Sequence, residues 1–139
     1  MKPTALIVLA LAIPSLATAQ TGRPEFPQSL DGTRDWVSFG PLSIWSDYRL
    51  GPISDGNATR TAPIVIVEAM PALVGGGRFV GTYSLVEFDC AGERRRDLWE
   101  AQAFDNGEFR WSRETAGEWF ARPKGEGHPM TRMFDHVCP

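Results

Sequence analysis

The chain has 139 residues, with 14 Lys and Arg against 17 Asp and Glu, and a formal net charge of −3 when His is neutral. That balance argues against a nucleic-acid partner, whose phosphates are held by clustered cations. The length fits a single domain.

The chain opens with the pattern of an export signal. Lys2 supplies a positive start, Ala5 to Ile13 is an unbroken apolar run, Pro14 and Ser15 break it, and Ala17-Thr18-Ala19 places small residues at a cleavage site. Residues 1–19 are therefore expected to be a signal peptide removed before Gln20. The run is far shorter than the roughly 20 residues that cross a bilayer as a helix, so no transmembrane segment is expected after cleavage. No Cys follows the run to carry a lipid. The mature chain is left with 13 basic against 17 acidic residues, and a periplasmic, cell-surface or extracellular location follows.

Residues 20–34 carry Pro24, Pro27, Asp31 and Gly32 with no apolar period, which predicts an extended, poorly ordered lead-in to a domain spanning 35–139. Trp36 to Phe39 and Ile44 to Leu50 read as short strands parted by Gly40 and Pro41, and Gly51 to Thr61 reads as a loop. Pro63 to Met70 is β-branched and nearly continuous, the pattern of a strand buried on both faces. Gly75-Gly76-Gly77 gives a flexible connection into Arg78 to Cys90. There, strict alternation puts Val80, Thr82, Ser84, Val86, Phe88 and Cys90 on one inward face.

Arg94 to Phe104 and Glu108 to Arg113 flank Asp105-Asn106-Gly107. Asn-Gly suits the two positive φ values of a type I′ turn, which predicts a hairpin with Asn106-Gly107 as its two-residue loop and brings Trp99 near Trp111. Trp119 and Phe120 begin a last short strand. Met130, Met133, Phe134 and Val137 then recur at helical spacing behind Pro129, so the chain is expected to end in a short helix.

Cys90 and Cys138 are the only cysteines. In an exported chain they are expected to form a disulfide that fixes the terminal helix to the sheet. They share no paired-ligand spacing with His128 and His136, so no metal is expected, and no phosphate loop or nucleophile elbow calls for a cofactor or catalysis. Asp89 is read as an ion-pair partner of a nearby arginine. The expected fold class is α+β: a small antiparallel sheet of about five or six short strands packed against a short C-terminal helix, with one disulfide.

Trp36 at the domain start, Val86-Glu87-Phe88-Asp89-Cys90 closing a strand, the run Arg94-Arg95-Arg96, the break from Trp119 to Gly127 and the terminal Val137-Cys138 resemble the surface-adhesin protein E family over Trp36 to Cys138. The resemblance implies a noncatalytic binding protein in the envelope of a Gram-negative bacterium, adhesin-like, whose partner is a protein or another macromolecule; a homodimer is compatible with it. The founding adhesin is lipid-anchored, and this chain departs from it in lacking the lipid-carrying Cys. The alternative function is a periplasmic inhibitor or envelope stress factor. The candidate binding residues are Arg94, Arg95, Arg96, Trp99 and Trp111, since Arg and Trp often anchor interfaces. For the arginine run, flanked by Glu93 and Asp97, structural pairing is the favoured alternative.

Overall fold

The computed structural model describes residues 22–43, 46–125 and 127–139. The expected signal peptide lies outside the described residues, as do the first two positions of the expected strand Ile44 to Leu50.

Strands dominate, and the α+β expectation is corrected: the protein is 51% strand, arranged as one antiparallel sheet curled into a half-barrel, with a single short helix. The strands are β1 (Val37–Ser43), β2 (Ser46–Leu50), β3 (Ser54–Asp55), β4 (Arg60–Val74), β5 (Gly77–Asp89), β6 (Arg94–Phe104), β7 (Phe109–Arg113) and β8 (Phe120–Ala121), and the helix is α1 (Pro129–Val137). The sheet runs β1-β2-β4-β5-β6-β7, with β3 paired to β4 and β8 paired to β6. The class differs because nine helical residues cover only part of one sheet face. The other face is covered by strand-borne aromatics and an irregular N-terminal segment.

Burial on both faces comes from β4, the β-branched strand. Its Ala62 and Ile64 face α1 together with Leu50, Val86 and Phe88, and meet Met130, Met133, Phe134 and Val137 from the helix. The four helical positions with apolar spacing are all buried, as an amphipathic helix requires. His128 caps the helix by accepting the Met130 N–H at Nδ1, 3.1 Å away, and Pro129 occupies the first turn, where its missing N–H costs nothing.

On the opposite face Val65, Tyr83, Ala101 and Ala103 form a second cluster with Phe26. Tyr83 is its centre, stacked on Phe26 at 5.0 Å between ring centroids and edge-on to Trp36 at 6.1 Å and Phe109 at 5.7 Å. The lead-in therefore differs from its expected disorder in residues 22–34: Phe26 is buried, and Leu30–Thr33 forms a 3-10 turn whose Thr33 is buried. The single inward face expected for β5 also needs correction. Val86 and Phe88 do face the helix, but Val80 joins the Tyr83 cluster, because the register shifts between Phe79 and Gly81.

Two turns differ from what was expected of them: the flexible connection over Gly75-Gly76-Gly77 is a tight hairpin, and the Asn106-Gly107 turn is longer than two residues. Val74 pairs directly with Gly77, so Gly75-Gly76 is the two-residue loop, with φ values of +56° and +86°. Two successive positive φ values are what a tight hairpin of the primed type needs. At the β6–β7 hairpin only Gly107 has a positive φ, +81°. Gly107 donates to the Phe104 carbonyl at 3.0 Å and Phe104 donates to the Glu108 carbonyl at 3.0 Å, which makes a three-residue loop ending in a glycine bulge rather than the expected type I′ turn.

The Cys90–Cys138 disulfide is formed, with the two Cα atoms 5.4 Å apart. Around it the helix is tethered again: Arg60 Nη1 donates to the Val137 carbonyl at 2.5 Å, Arg122 pairs with Asp135 at 2.5 Å, and Arg132 donates to the Phe39 carbonyl.

Candidate binding surface

The arginine run forms the start of β6, where alternation sends Arg94 and Arg96 to one face and Arg95 to the other. Arg94 opposes Asp89 and Arg96 opposes Glu87 in the β5–β6 register, and cross-strand neighbours on one face are within reach of each other. Arg94 Nε accordingly reaches Asp89 Oδ2 at 2.8 Å, and Arg96 Nε reaches Glu87 Oε2 at 2.6 Å. Glu87 is held from its other side by Thr59 Oγ1 at 2.8 Å.

Aromatic rings complete the array. The guanidinium carbons of Arg94 and Arg96 lie 4.6 and 4.5 Å from the Trp119 ring centroid, so two arginines two residues apart clasp one indole. Arg95, on the other face, lies 5.6 Å from the Phe120 ring and 3.4 Å from Asp97. These contacts depend on β8, whose Phe120 pairs with Arg95 and Ala121 with Arg94. Each arginine thus has one carboxylate and one ring, a combination of ion pairing and cation–π attraction. The array is partly open: Phe120 is 52% exposed.

Trp99 and Trp111 are brought together, with ring centroids 5.8 Å apart and nearly perpendicular. Trp99 is buried, and Trp111 stacks on Phe26 at 5.8 Å beneath Arg23 at 5.0 Å. Trp111 packs against the second core cluster and Trp99 contacts Trp111, whereas the arginines gather on Trp119 and Phe120, so the five candidate residues divide between two places. Trp119 and Phe120 are the array residues that sequence reasoning did not select. Their partnership with the arginines follows from the β6–β8 pairing, which joins segments separated by a loop without an apolar period.

The titratable groups are largely committed. The backbone N–H of Gly92, followed by the Arg94 guanidinium, holds the Asp89 carboxyl below its ordinary range. Burial raises Asp97 despite the opposing charge of Arg95. Burial pushes the Tyr83 phenol up to about 12, and its hydroxyl has no hydrogen-bond partner among the described residues. His136 packs edge-on against Phe39 at 5.6 Å. Among the described residues no three His, Cys, Asp or Glu side chains are grouped to hold a metal ion, and no helix is long and apolar enough to cross a membrane.

A cavity of about 640 Å³ opens beside the disulfide, lined by Asp55, Asn57, Arg60, Glu93, Arg122 and Asp135 among others. Its arginines are engaged within the protein, Arg60 with Asp55 at 2.9 Å and Arg122 with Asp135. Comparison with protein-family models, curated proteins and solved structures finds no match.

Proposed function

We propose that the protein is an exported, noncatalytic binding protein of the cell envelope, with a protein or other macromolecule as its partner. The observation that carries this reading is the clasp of Trp119 by Arg94 and Arg96, with Arg95 over the half-exposed Phe120 on the other face of the strand. Arginines already held by carboxylates and rings lose little side-chain freedom when a partner arrives. Arg and Trp are also the side chains that most often dominate interface energetics. The Cys90–Cys138 bridge is compatible with an oxidising, exported location, and the resemblance to the surface-adhesin protein E family points the same way.

The test is capture of envelope and matrix proteins by the purified exported protein, compared with a Phe120→Ser/Arg94→Gln variant whose melting curve matches the parent. A saturable partner that the folded variant fails to retain supports the reading. Turnover of a small substrate by the parent, abolished by Asp97→Asn or His128→Ala, overturns it.

A further inference from the structure

We propose that the cleft between the N-terminal segment and the paired strands β5 and β6 binds a small uncharged molecule of two fused rings with one hydrogen-bonding group. The cleft has a volume of about 220 Å³. An apolar cavity of about 150 Å³ admits a single benzene ring, and pockets for drug-sized ligands begin near roughly 300 Å³, so two rings set the scale. Val80, Tyr83, Ala103 and Phe104 make the floor, and Leu30 adds an apolar side from the N-terminal segment. The register shift between Phe79 and Gly81 carries Val80 to this face, and Ala103 contributes only a methyl group.

The opposite wall is formed by residues 28–31, and it is held at both ends. Phe26 is buried and stacked on both Tyr83 and Trp111. Thr33, also buried, donates its hydroxyl to the Leu30 carbonyl at 2.7 Å. The wall is therefore pre-formed, which spares a ligand the cost of ordering it. Ser29 stands at the start of the 3-10 turn, where a serine hydroxyl commonly caps, yet it makes no capping bond. Neither that hydroxyl nor the Gln28 amide has a side-chain partner among the described residues, and both residues line the cleft.

The charges around the cleft select against ions. Among the described residues no Lys, Arg or His lines it, whereas Asp31 and Asp105 do, so an anion meets repulsion and no counter-charge. The two carboxylates are engaged within the protein: Asp31 Oδ1 accepts from Arg34 at 2.8 Å, and Asp105 Oδ1 accepts the Arg78 N–H at 3.3 Å. The polar atoms left for a ligand are the uncharged ones of Gln28 and Ser29. An apolar floor with a few placed polar groups is the composition of small-molecule sites.

The cleft shares no residue with the arginine array or the Trp99–Trp111 pair, so its test is independent of the envelope reading. The purified protein is titrated with naphthol by calorimetry, beside naphthoate and naphthylmethylammonium as charged analogues built on the same rings. Saturable binding of naphthol, about tenfold or more tighter than either ion, is expected. Val80→Trp fills the floor and should abolish it. Gln28→Ala/Ser29→Ala, at two exposed sites where folding is not disturbed, should weaken naphthol by on the order of tenfold, as the loss of one or two hydrogen bonds does, and leave naphthalene binding unchanged. A parent without saturable naphthol binding, ions that bind as tightly, or a folded Val80→Trp variant that binds as well overturns the proposal. Unchanged naphthol affinity in the Gln28→Ala/Ser29→Ala variant also overturns it, and this arm stands even where the Trp variant misfolds.

Discussion

Tyr83 shows how one side chain can be well placed and imperfectly satisfied at once. Its ring is the hub of the second core face, in contact with Phe26, Trp36 and Phe109, and aromatic pairs at such distances add about 0.5–1.5 kcal/mol each beyond area burial. Its hydroxyl is buried without a partner among the described residues. Desolvation of an unpaired polar group costs about 1–3 kcal/mol, so the ring stabilises the fold while the oxygen works against it. Tyr83→Phe keeps every ring contact and removes the penalty. It should raise stability by about 1 kcal/mol in denaturant melts, whereas Tyr83→Leu, which loses the stacking, should lower it. A Phe variant less stable than the parent would mean that the hydroxyl has a partner.

Turn chemistry decides the hairpins at the scale of elements. Gly107 at φ +81° closes the β6–β7 loop, and the adjacent Asn106 does not take a positive φ. Its side chain instead accepts the Glu108 N–H at 3.0 Å. Gly107→Val should therefore cost about 1–3 kcal/mol, the range for a non-glycine residue forced into a sparsely populated region. Asn106→Ala, which loses one exposed side-chain bond, should cost under about 1 kcal/mol. Equal costs in thermal melts would point back to the two-residue turn.

The hairpin itself was legible from Asp105-Asn106-Gly107 between two strand-like runs, and so was the approach of Trp99 to Trp111. The turn type was not, because Asn-Gly fits both loops and the choice is made by how the register closes at Phe104 and Glu108. The terminal helix was legible because its four apolar positions repeat with helical period and one face has to be buried. Phe26 was not, since a lone aromatic among prolines has no period and its site is assembled from β5 and β7. The clasp of Trp119 was hidden for the same reason: it needs β8 to cross to β6. Alternation misplaced Val80 because a bulge between Phe79 and Gly81 carries it to the other face, and bulges leave little trace in a pattern of twos.

The whole molecule is a curled sheet with a nine-residue helix held on one face, and the helix is too short to persist alone in water. Its burial of Met130, Met133, Phe134 and Val137 supplies the packing, and the bridge between residues 48 apart removes freedom from the unfolded chain. On the chain-entropy account a loop of that length is worth about 4 kcal/mol, a large part of the 5–15 kcal/mol typical of a domain. The Arg60 bond to the Val137 carbonyl and the Arg122–Asp135 pair hold α1 independently of the bridge atoms, so α1 should stay docked in the native state when the bridge is removed. A Cys90→Ala/Cys138→Ala variant should then keep the near-ultraviolet signal of the parent under native conditions. Its unfolding midpoint should fall by an amount equivalent to about 4 kcal/mol, with a steeper denaturant dependence, because an uncrosslinked unfolded chain exposes more surface. A variant that loses the same stability with an altered native signal, and cleavage before Pro129 by a protease that spares the parent, would show that the bridge holds the helix in the folded state rather than constraining the unfolded one.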